Sequence, residues 1–494
     1  MMLAELYRPT LGLLADLYQF SMAQAYWKDG TAGHNAVFHL TFRSHPFHGG
    51  YTVVAGLAQA IEWLERLRFD EDDLAYLGRL TGADTRPLFE REFLRFLGGF
   101  ESALDVDAVP EGRVVFPHEP LLRVRGPLWQ GQLVETALLT IVNFQSLIAT
   151  KAARICHAAG TGAVVDFGLR RAQGIDGSIS AARAAYIGGV AATSNVLAGR
   201  LLGIPVRGTH AHSWVMSHRS EQEAFDAYAA AMPNNTLLLV DTYDTLEGVR
   251  AAIRTGLALK ERGGKMLGIR LDSGDLAYLS KKARAMLDEA GLNEASIVAS
   301  NDLDEQTIES LRSQGARIDV WGVGTRLITG HDQPALGGVY KLGAIAEPGG
   351  EWRRVIKASE QLVKSSVPGM IGVRRFTNDN KFEGDMIYDE LAKAAPGAPT
   401  IVHPGDATRR RSFKGTAEEL LVPVLRGGRQ VAQLPRLSDI RATRERDLEM
   451  LDESCRRRLN PHEYPAGLDV PLHEMRTQMA IEAKNPTSST EVTS

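Results

Sequence analysis

The sequence has few cysteines, little excess of either charge and no long apolar run. Its two thiols, Cys156 and Cys455, lie far apart along the chain, which excludes a disulfide framework and favours a reducing cytoplasm. The formal net charge of -4 gives no electrostatic case for binding nucleic acid or an anionic membrane. We therefore expect neither partner, and any binding of anions must depend on a local site.

Membrane-spanning and secretory segments are also lacking. The longest uncharged stretches, such as 136–150, are shorter than the roughly 20 residues that a spanning helix needs. The first residues, MMLAELYRPT, have no basic region followed by an apolar one, as a secretory signal would. The sequence therefore predicts a cytoplasmic protein.

What the chain does have is length and a normal apolar fraction. Its 494 residues, 44% of them hydrophobic, exceed one ordinary domain and predict a sizeable core. The fold class predicted is α/β. The expected divisions are an N-terminal α+β domain (1–130), a β/α barrel with the active site (131–357), a mixed C-terminal extension packed on both (358–484) and a disordered polar tail (485–494).

Between residues 160 and 342, short β-branched runs alternate roughly eight times with helical segments. The runs are AVVDFG, GVAATSN, IPVRGTHAHS, TLLLVDTYD, KMLGIRLDSGD, SIVASNDLD, RIDVWGVGT and GGVYKL. This alternation predicts an irregular β/α barrel, in which the carboxyl ends of the strands meet on one face. Because nearly every run ends in a polar residue or glycine, we expect one cavity surrounded by Asp166, Asn195, His212, Asp241, Asp272, Asp302 and the loop 322–325.

Two histidines stand two residues apart in RGTHAHSWV, at the end of the third run. Three interpretations are open: structural histidines, a metal pair, or one catalytic imidazole. A zinc site needs about three protein ligands, and no third ligand is apparent nearby. No metal ligand is therefore assigned firmly on this pattern.

Two further runs, LVDTYDT and RLDSGD, end in paired carboxylates. An Asp before a helix commonly accepts the free N–H groups of the first turn, and Asp275 suits that role. Asp272 follows Arg270 closely, and this pair suits a phosphate ester. The guanidinium can donate two hydrogen bonds to phosphate oxygens, while the carboxylate can bind Mg²⁺ or accept a hydrogen bond from a hydroxyl.

Two glycine-containing segments predict contacts with an aromatic anion and with phosphate. In VDFGLRRAQG, Phe167 would stack on a flat ring and Arg170 or Arg171 would meet its carboxylate; the alternative is a buried Phe with solvated arginines. In GVGTRLITG, glycines let N–H groups approach a phosphate at a helix start, although tight turns need glycine in any case.

Taken together, these segments resemble the nicotinate phosphoribosyltransferase family. The resemblance runs from Leu11 to about Pro368 and includes LLADLYQFSMAQAYW, FRSHPFHGG, ETALLTIVNFQSLIATKAAR, DFGLRRAQG, ATSNVLAG, GTHAHSWV, RLDSGDLAYLSKKAR and GVGTRLITG in that order. It implies the fold of the type II phosphoribosyltransferases in a homodimer with shared active sites. It also implies transfer from phosphoribosyl pyrophosphate to nicotinate, ATP as co-substrate, a transient phosphohistidine and Mg²⁺ held mainly by substrate.

The resemblance assigns roles to single residues. His212, rather than His210, matches the phosphorylated histidine, and Asp241 matches the carboxylate that orients its imidazole. Tyr18, from the partner subunit, and Phe167 match the pair that sandwiches the pyridine ring.

Further matches concern the rest of the substrates. Arg170 matches the base-binding arginine, and Asp272 is the candidate Mg²⁺ ligand. The residues that match the ribose and phosphate site are Arg270, Asp272, Asp302, Gly322, Gly324 and Thr325.

Two rivals stay in view: nicotinamide phosphoribosyltransferase, which shares the fold, and an inactive binding protein. Asn195 stands where the nicotinamide enzyme has an Asp, which would repel the carboxylate of nicotinate, whereas Asn can donate to it. DFGLRR stands where EFGLRR is more usual, and ATSN where GTSN is. Residues 356–375 depart more from the family, so no site residue is assigned there.

Overall fold

The computed structural model describes residues 11–359, 365–393 and 397–484. The chain forms two compact units: a first unit of Met1–Ser146 with Ala335–Ser494, and a second unit of Leu147–Pro334. Both combine helices with sheets, so the predicted α/β class is confirmed. The fourfold division along the chain stays a prediction, and the predicted tail lies outside the described residues.

The second unit is built on a six-stranded sheet in which all neighbours are parallel. In sheet order the strands are Ala192–Thr193, Ala163–Asp166, Val320–Val323, Ser296–Ala299, Gly268–Leu271 and Leu237–Leu239. At the remaining edges, Val206 makes an isolated parallel bridge to Thr193, and the N–H of Leu239 donates to Nε2 of His210. This is the strand order of a β/α barrel. Between the edge strands Ala192–Thr193 and Leu237–Leu239, the bridge at Val206 and the side-chain contact of His210 occur where a further strand would pair with both.

Helices follow the strands of the second unit in alternation. Their bounds are Ile175–Ile187, Val196–Leu202, His212–Met216, Glu221–Ala231, Thr245–Glu261, Leu276–Glu289, Glu305–Ser313 and Thr325–Ile328, with short 3₁₀ turns at Leu169–Arg171 and Pro233–Asn235. The helix Glu135–Ala159 contains the boundary between the units. Strand residues such as Leu238, Ile269 and Ile297 are fully buried, as expected for parallel strands covered on both faces.

Capping residues set where several of these helices begin. The Oδ1 atoms of Asp244, Asp275 and Asp304 each accept the N–H three residues on, at 2.9, 2.9 and 2.8 Å. Each bond satisfies one of the free N–H groups of a first turn. The capping interpretation of Asp275 is therefore confirmed.

Two of the eight predicted runs do not contribute a strand to the parallel sheet of the second unit. The third run contributes only the bridge at Val206, since the residues after it bend away to carry the two histidines. The eighth, GGVYKL, belongs to the strand Gly338–Ala346 of the first unit, where it pairs antiparallel with Asn35–Phe42. An apolar β-branched run predicts a strand but does not say which sheet the strand will join.

The first unit contains two larger sheets and a two-stranded one. The seven-stranded sheet is antiparallel, in the order Arg353–Arg354, Gly338–Ala346, Asn35–Phe42, Leu122–Pro127, Asp105–Ala108, Val422–Arg426 and Arg429–Gln430. The six-stranded sheet has the order Asp406–Ser412, Thr400–His403, Ala466–Asp469, Lys381–Asp389, Ile371–Asn378 and Thr416–Glu419. Thr52–Val53 pairs with Val114–Val115.

The helices of the first unit cover a large apolar core that includes Phe38, Leu40, Phe93 and Val124. Their bounds are Leu17–Lys28, Leu57–Arg66, Glu71–Leu77, Arg91–Gly98, Leu128–Leu133, Leu437–Met450, Glu453–Arg456 and Val470–Lys484, with a 3₁₀ turn at Pro46–His48. Cys156 and Cys455 are both free thiols. Within the described ranges, no helix combines the length and apolar character needed to cross a membrane.

Gly248 controls how closely the helix Thr245–Glu261 approaches the end of the strand Leu237–Leu239. A Cβ at this position would lie 2.1 Å from the carbonyl oxygen of Val240. We expect Gly248→Ala to lower the free energy of unfolding by about 1–3 kcal/mol, because the helix must move away from backbone that cannot yield. Urea unfolding measures the change.

Gly177→Ala is the matched control, because a Cβ there would meet nothing within 4 Å. It lies in the helix Ile175–Ile187, where alanine is favoured over glycine by up to about 1 kcal/mol. Equal stabilities of the two variants would contradict this account of the packing.

Candidate active site

A cleft of about 430 Å³ opens in the second unit, at the carboxyl ends of the parallel strands. Its lining comes largely from residues at or just after the strand ends. Nine of the twelve site residues predicted from the sequence line it: Phe167, Arg170, His212, Arg270, Asp272, Asp302, Gly322, Gly324 and Thr325. The convergence expected of a β/α barrel is therefore present in this cleft.

His210 and His212 lie in different environments. His210 is 8% exposed, and burial lowers its pKa to about 4. Its Nε2 accepts the N–H of Leu239 at 3.2 Å, so Nδ1 carries the proton, which points at the carbonyl oxygen of Ala211 at 3.3 Å. Both ring nitrogens of His210 thus serve the backbone, which makes it a structural histidine.

His212 begins the short helix His212–Met216, and its side chain is 38% exposed. Nδ1 lies 3.1 Å from Oγ1 of Thr242, and Nε2 lies 3.8 Å from Oδ2 of Asp272. When Nδ1–H donates to Thr242, the lone pair of Nε2 remains free on the side of Asp272. This imidazole is placed to act as a nucleophile.

Asp241 was expected to orient His212, but the side chain that hydrogen-bonds the imidazole is Thr242. Asp241 instead uses Oδ2 to accept the N–H of Asp272 at 2.8 Å and the hydroxyl of Ser273 at 2.7 Å. Asp241 lies two residues beyond the strand Leu237–Leu239, and Asp272 directly follows the neighbouring strand Gly268–Leu271, so Asp241 holds the backbone of Asp272 in place. Its action on the cleft is therefore indirect.

A second acid lies near Asp241. Oδ1 of Asp241 and Oε1 of Glu221 are both buried and have no hydrogen-bond partner among the described residues. Burial first, and then the charges of Asp241 and Asp244, raise the pKa of Glu221 to about 7. The carboxylate that supports Asp272 thus has an acid beside it that is partly protonated at neutral pH.

Phe167 is held against a glycine. Its backbone N–H donates to Val323 at 2.8 Å, and a Cβ on Gly322 would lie 2.5 Å from a ring carbon of Phe167. Gly322 therefore leaves the space in which this aromatic ring sits. The predicted contact of Gly322 with phosphate stays a prediction, while its contact with Phe167 is a feature that sequence reasoning missed.

The side of the cleft that is predicted to bind phosphate contains strained backbone. Asn301, a non-glycine residue, has φ of 123°, which is rare and costs on the order of 1–3 kcal/mol. Its Oδ1 accepts the N–H of Asp302 at 2.9 Å, and Ser300 donates to Oδ1 of Asp272. The helix after Gly324 is only Thr325–Ile328, so any contribution of a helix dipole there is small.

Besides Asp241, two predicted residues do not line the cleft: Asn195 and Tyr18. Asn195 is 2% exposed: its Oδ1 caps the next helix by accepting the N–H of Ala198 at 3.1 Å, and its Nδ2 donates to Ser178 at 3.4 Å. The expected hydrogen bond from Asn195 to substrate stays a prediction, and it is the neighbouring Ser194 that lines the cleft. Tyr18 belongs to the first unit and is 45% exposed in the first turn of Leu17–Lys28.

The charges of the cleft favour polyanions. Three guanidiniums, those of Arg170, Arg171 and Arg270, face two carboxylates, those of Asp272 and Asp302. No group of three or more His, Cys, Asp or Glu side chains suited to a metal ion occurs in the described part of the chain. The expected Mg²⁺, held mainly by substrate, stays a prediction.

Three family models match successive parts of the chain. They are the nicotinate phosphoribosyltransferase (NAPRTase) N-terminal domain at residues 13–143, the NAPRTase family at 163–377 and the NAPRTase C-terminal domain at 372–476. The chain belongs to the nicotinate phosphoribosyltransferase family. The middle match contains every residue that lines the cleft.

Relatives of this family match almost the whole chain. A nicotinate phosphoribosyltransferase of Bacillus subtilis is 46% identical, over 96% of this chain and 96% of its own. One from Caenorhabditis elegans is 37% identical over 94% and 92%. The crystal structure of human nicotinic acid phosphoribosyltransferase is similar, with a TM-score of 0.80 and 32% identity over 94% of this chain and 99% of its own.

The different environments of the two histidines can be tested by titration. We expect the imidazole of His210 to stay in its neutral, Nδ1-protonated form until the pH approaches 4, because burial lowers its pKa. Since this pKa lies below the ordinary value, the stability that His210 contributes is complete above pH 6.5 and is lost as the pH falls towards 4. Nitrogen-15 NMR of the imidazoles, with His210→Gln to assign the signal, measures the midpoint. A midpoint near 6.5 would contradict the structural role.

Proposed function

We propose that this chain joins nicotinate to phosphoribosyl pyrophosphate, with hydrolysis of ATP, and releases nicotinate mononucleotide and pyrophosphate. This is the first step of NAD synthesis from nicotinic acid. The observation that carries the proposal is that His212, Asp272, Phe167 and three guanidiniums line one cleft. Family membership supports the substrates, and the free, distant thiols support a cytoplasmic location.

Nicotinate is proposed to bind at the Phe167 side of the cleft. Its ring would stack on Phe167, which Gly322 keeps in place, and its carboxylate would pair with Arg170 on the same loop. We propose that Tyr18 of a second copy completes the stack in a homodimer with shared active sites. Tyr18 is well exposed at its helix terminus, as such a role requires.

Phosphoribosyl pyrophosphate is proposed to bind on the side of Arg270, Asp302 and Thr325. The bond from C1 of the ribose to pyrophosphate breaks as the pyridine nitrogen forms its bond to C1, through a cationic ribose. Positioning and charge stabilisation therefore contribute more than proton transfer. Bound Mg²⁺ would neutralise charge on the pyrophosphate, with Asp272 as its protein ligand.

ATP is proposed to act through His212. The lone pair of Nε2 attacks the γ-phosphorus, a P–N bond forms, and the P–O bond to ADP breaks. In the tautomer whose Nδ1–H donates to Oγ1 of Thr242, the lone pair that attacks is the one on Nε2. Water later cleaves the P–N bond and releases phosphate, which makes the overall transfer more favourable.

The rival activities fit the cleft less well. Nicotinamide has no carboxylate, so Arg170 would lose its ionic partner in a cleft with excess positive charge. An inactive binding protein would have no need for an exposed imidazole beside Asp272, a braced carboxylate and a strained loop together. Nicotinate as substrate is therefore the interpretation that uses the most features of the cleft.

The role of His212 gives a direct prediction. We expect His212→Ala to abolish nicotinate-dependent hydrolysis of ATP, because no P–N bond can form. It should leave slow transfer without ATP at high substrate concentrations, because the cleft still positions both substrates. Parallel assays of ADP and of nicotinate mononucleotide measure the two reactions. In the wild type, ATP labelled at the γ-phosphate should transfer an acid-labile label to the protein, and His212→Ala should not acquire it.

His218→Ala is the matched control, since His218 lies outside the cleft and its Nδ1 bonds to the carbonyl oxygen of Trp214. That variant should keep hydrolysis and transfer coupled. Full coupling in His212→Ala would rule out the proposed phosphohistidine.

Specificity gives a second prediction. Arg170→Gln should raise the KM for nicotinate by about 10- to 100-fold, which is the effect of losing a charge-assisted hydrogen bond. The KM for nicotinamide should change little, because it carries no charge. Arg200→Gln, an exposed arginine outside the cleft, is the control. Equal effects on both pyridines would show that Arg170 does not read the carboxylate.

A further inference from the structure

We propose that Asp166 and Thr193 form a positioning pair that joins the two loops of the nicotinate subsite and thereby sets the affinity for nicotinate. The inference rests on the proposed binding of nicotinate at Phe167 and Arg170. Neither member of the pair lines the cleft, and they are 1% and 1% exposed. They act, on this proposal, only through the residues that follow them.

The pair lies at the ends of two neighbouring strands. Asp166 and Thr193 are direct partners in the parallel ladder, and each ends its strand. The hydroxyl of Thr193 donates to Oδ2 of Asp166 at 2.8 Å, and the N–H of Ser194 donates to the carbonyl oxygen of Asp166 at 2.8 Å. Asp166 therefore holds the start of the neighbouring loop by both its side chain and its backbone.

Asp166 also holds its own loop. Its Oδ1 accepts the N–H of Gly168 at 2.7 Å, directly between Phe167 and the turn that carries Arg170. Gly168 has no room to shift, since a Cβ there would lie 2.6 Å from Cβ of Ile328. The carboxylate of Asp166 thus fixes the backbone of the loop that carries Phe167 and Arg170, the two proposed contacts of nicotinate.

Thr193 extends the connection on the other side. Its Oγ1 accepts the N–H of Asn195 at 3.0 Å, while Asn195 caps the next helix and donates to Ser178. The hydroxyl therefore serves as donor to Asp166 and as acceptor from Asn195. A methyl group in place of this hydroxyl can fill the same space, but it can neither donate nor accept a hydrogen bond.

A buried carboxylate is costly to keep unless it has hydrogen-bond donors. Burial raises the pKa of Asp166, and the Gly168 and Thr193 donors act in the opposite direction. One donor, the N–H of Gly168, belongs to the loop that carries Phe167 and Arg170, and the other is the hydroxyl of Thr193, at the start of the neighbouring loop. The burial of this carboxylate is therefore favourable only when both loops keep their geometry.

The test is a comparison of KM values. Thr193→Val keeps the shape and removes the hydroxyl, while Thr193→Ser keeps the hydroxyl and serves as the matched control. We expect Thr193→Val to raise the KM for nicotinate about tenfold, with the KM for phosphoribosyl pyrophosphate changed less than about twofold. Thr193→Ser should stay within about twofold of the wild type for both.

Asp166→Asn is the second variant, since it keeps the volume and replaces one of the two acceptor oxygens by an NH2 donor, so that the N–H of Gly168 and the hydroxyl of Thr193 can no longer both donate to this side chain. It should raise the KM for nicotinate similarly, and the double variant Asp166→Asn with Thr193→Val should be no worse than the more severe single variant. Should Thr193→Val unfold, Asp166→Asn carries the same comparison.

The outcomes separate this proposal from the function on which it rests. A wild-type chain that does not use nicotinate, or an Arg170→Gln variant with unchanged KM, would refute the proposed function or subsite. If the wild-type chain uses nicotinate and Arg170→Gln raises the KM for it, then an unchanged KM for nicotinate in folded Thr193→Val refutes the positioning pair. The proposal would also be refuted if Thr193→Val raised the KM for both substrates equally, or if Thr193→Ser raised the KM for nicotinate as much as Thr193→Val does. Either result would indicate a general loss of order in the cleft rather than a specific effect on the nicotinate subsite.

Discussion

The parallel pairing of strands in the second unit is the constraint on which the site depends. Parallel neighbours end at the same edge of a sheet, so side chains that are distant in the chain meet there. The pairing of Leu239 with Arg270 and of Ala299 with Leu271 brings Asp241, Asp272 and Ser300 into hydrogen-bonding reach. A shift of one residue in either ladder would break these contacts and turn the side chains to the other face.

The cleft is supported from behind by buried acids. Asp241 holds the backbone of Asp272, and Asp166 holds the backbone of Gly168, in each case across or beside a strand end. Both carboxylates are nearly buried, which is unfavourable unless N–H or O–H donors surround them. Because the donors belong to the loops of the cleft, the energy that stabilises these acids also fixes the loops.

The sequence predicted the class of the second unit and nine of the residues that line the cleft, because periodicity and polar strand ends are local features. It could not say that GGVYKL joins a different sheet, since any partner strand suits an apolar run. It also could not distinguish a helix cap from a substrate contact at Asn195, because both need the same polar side chain after a strand. The residue pattern of RGTHAHSWV does not separate His210 from His212; the family resemblance favours His212, and His210 is the buried one in the structure.

If ATP acts through His212 as proposed, the position of this residue would link the use of ATP to the binding of phosphoribosyl pyrophosphate. Nε2 lies 3.8 Å from the carboxylate of Asp272, so a phosphoryl group on that nitrogen would place two negative groups side by side. Their repulsion amounts to about 4 kcal/mol at an effective dielectric constant near 20. A divalent cation brought by phosphoribosyl pyrophosphate would relieve it, so the phosphorylated cleft should prefer the magnesium complex of that substrate. On the proposed mechanism, loss of the phosphoryl group would remove this preference and let pyrophosphate leave.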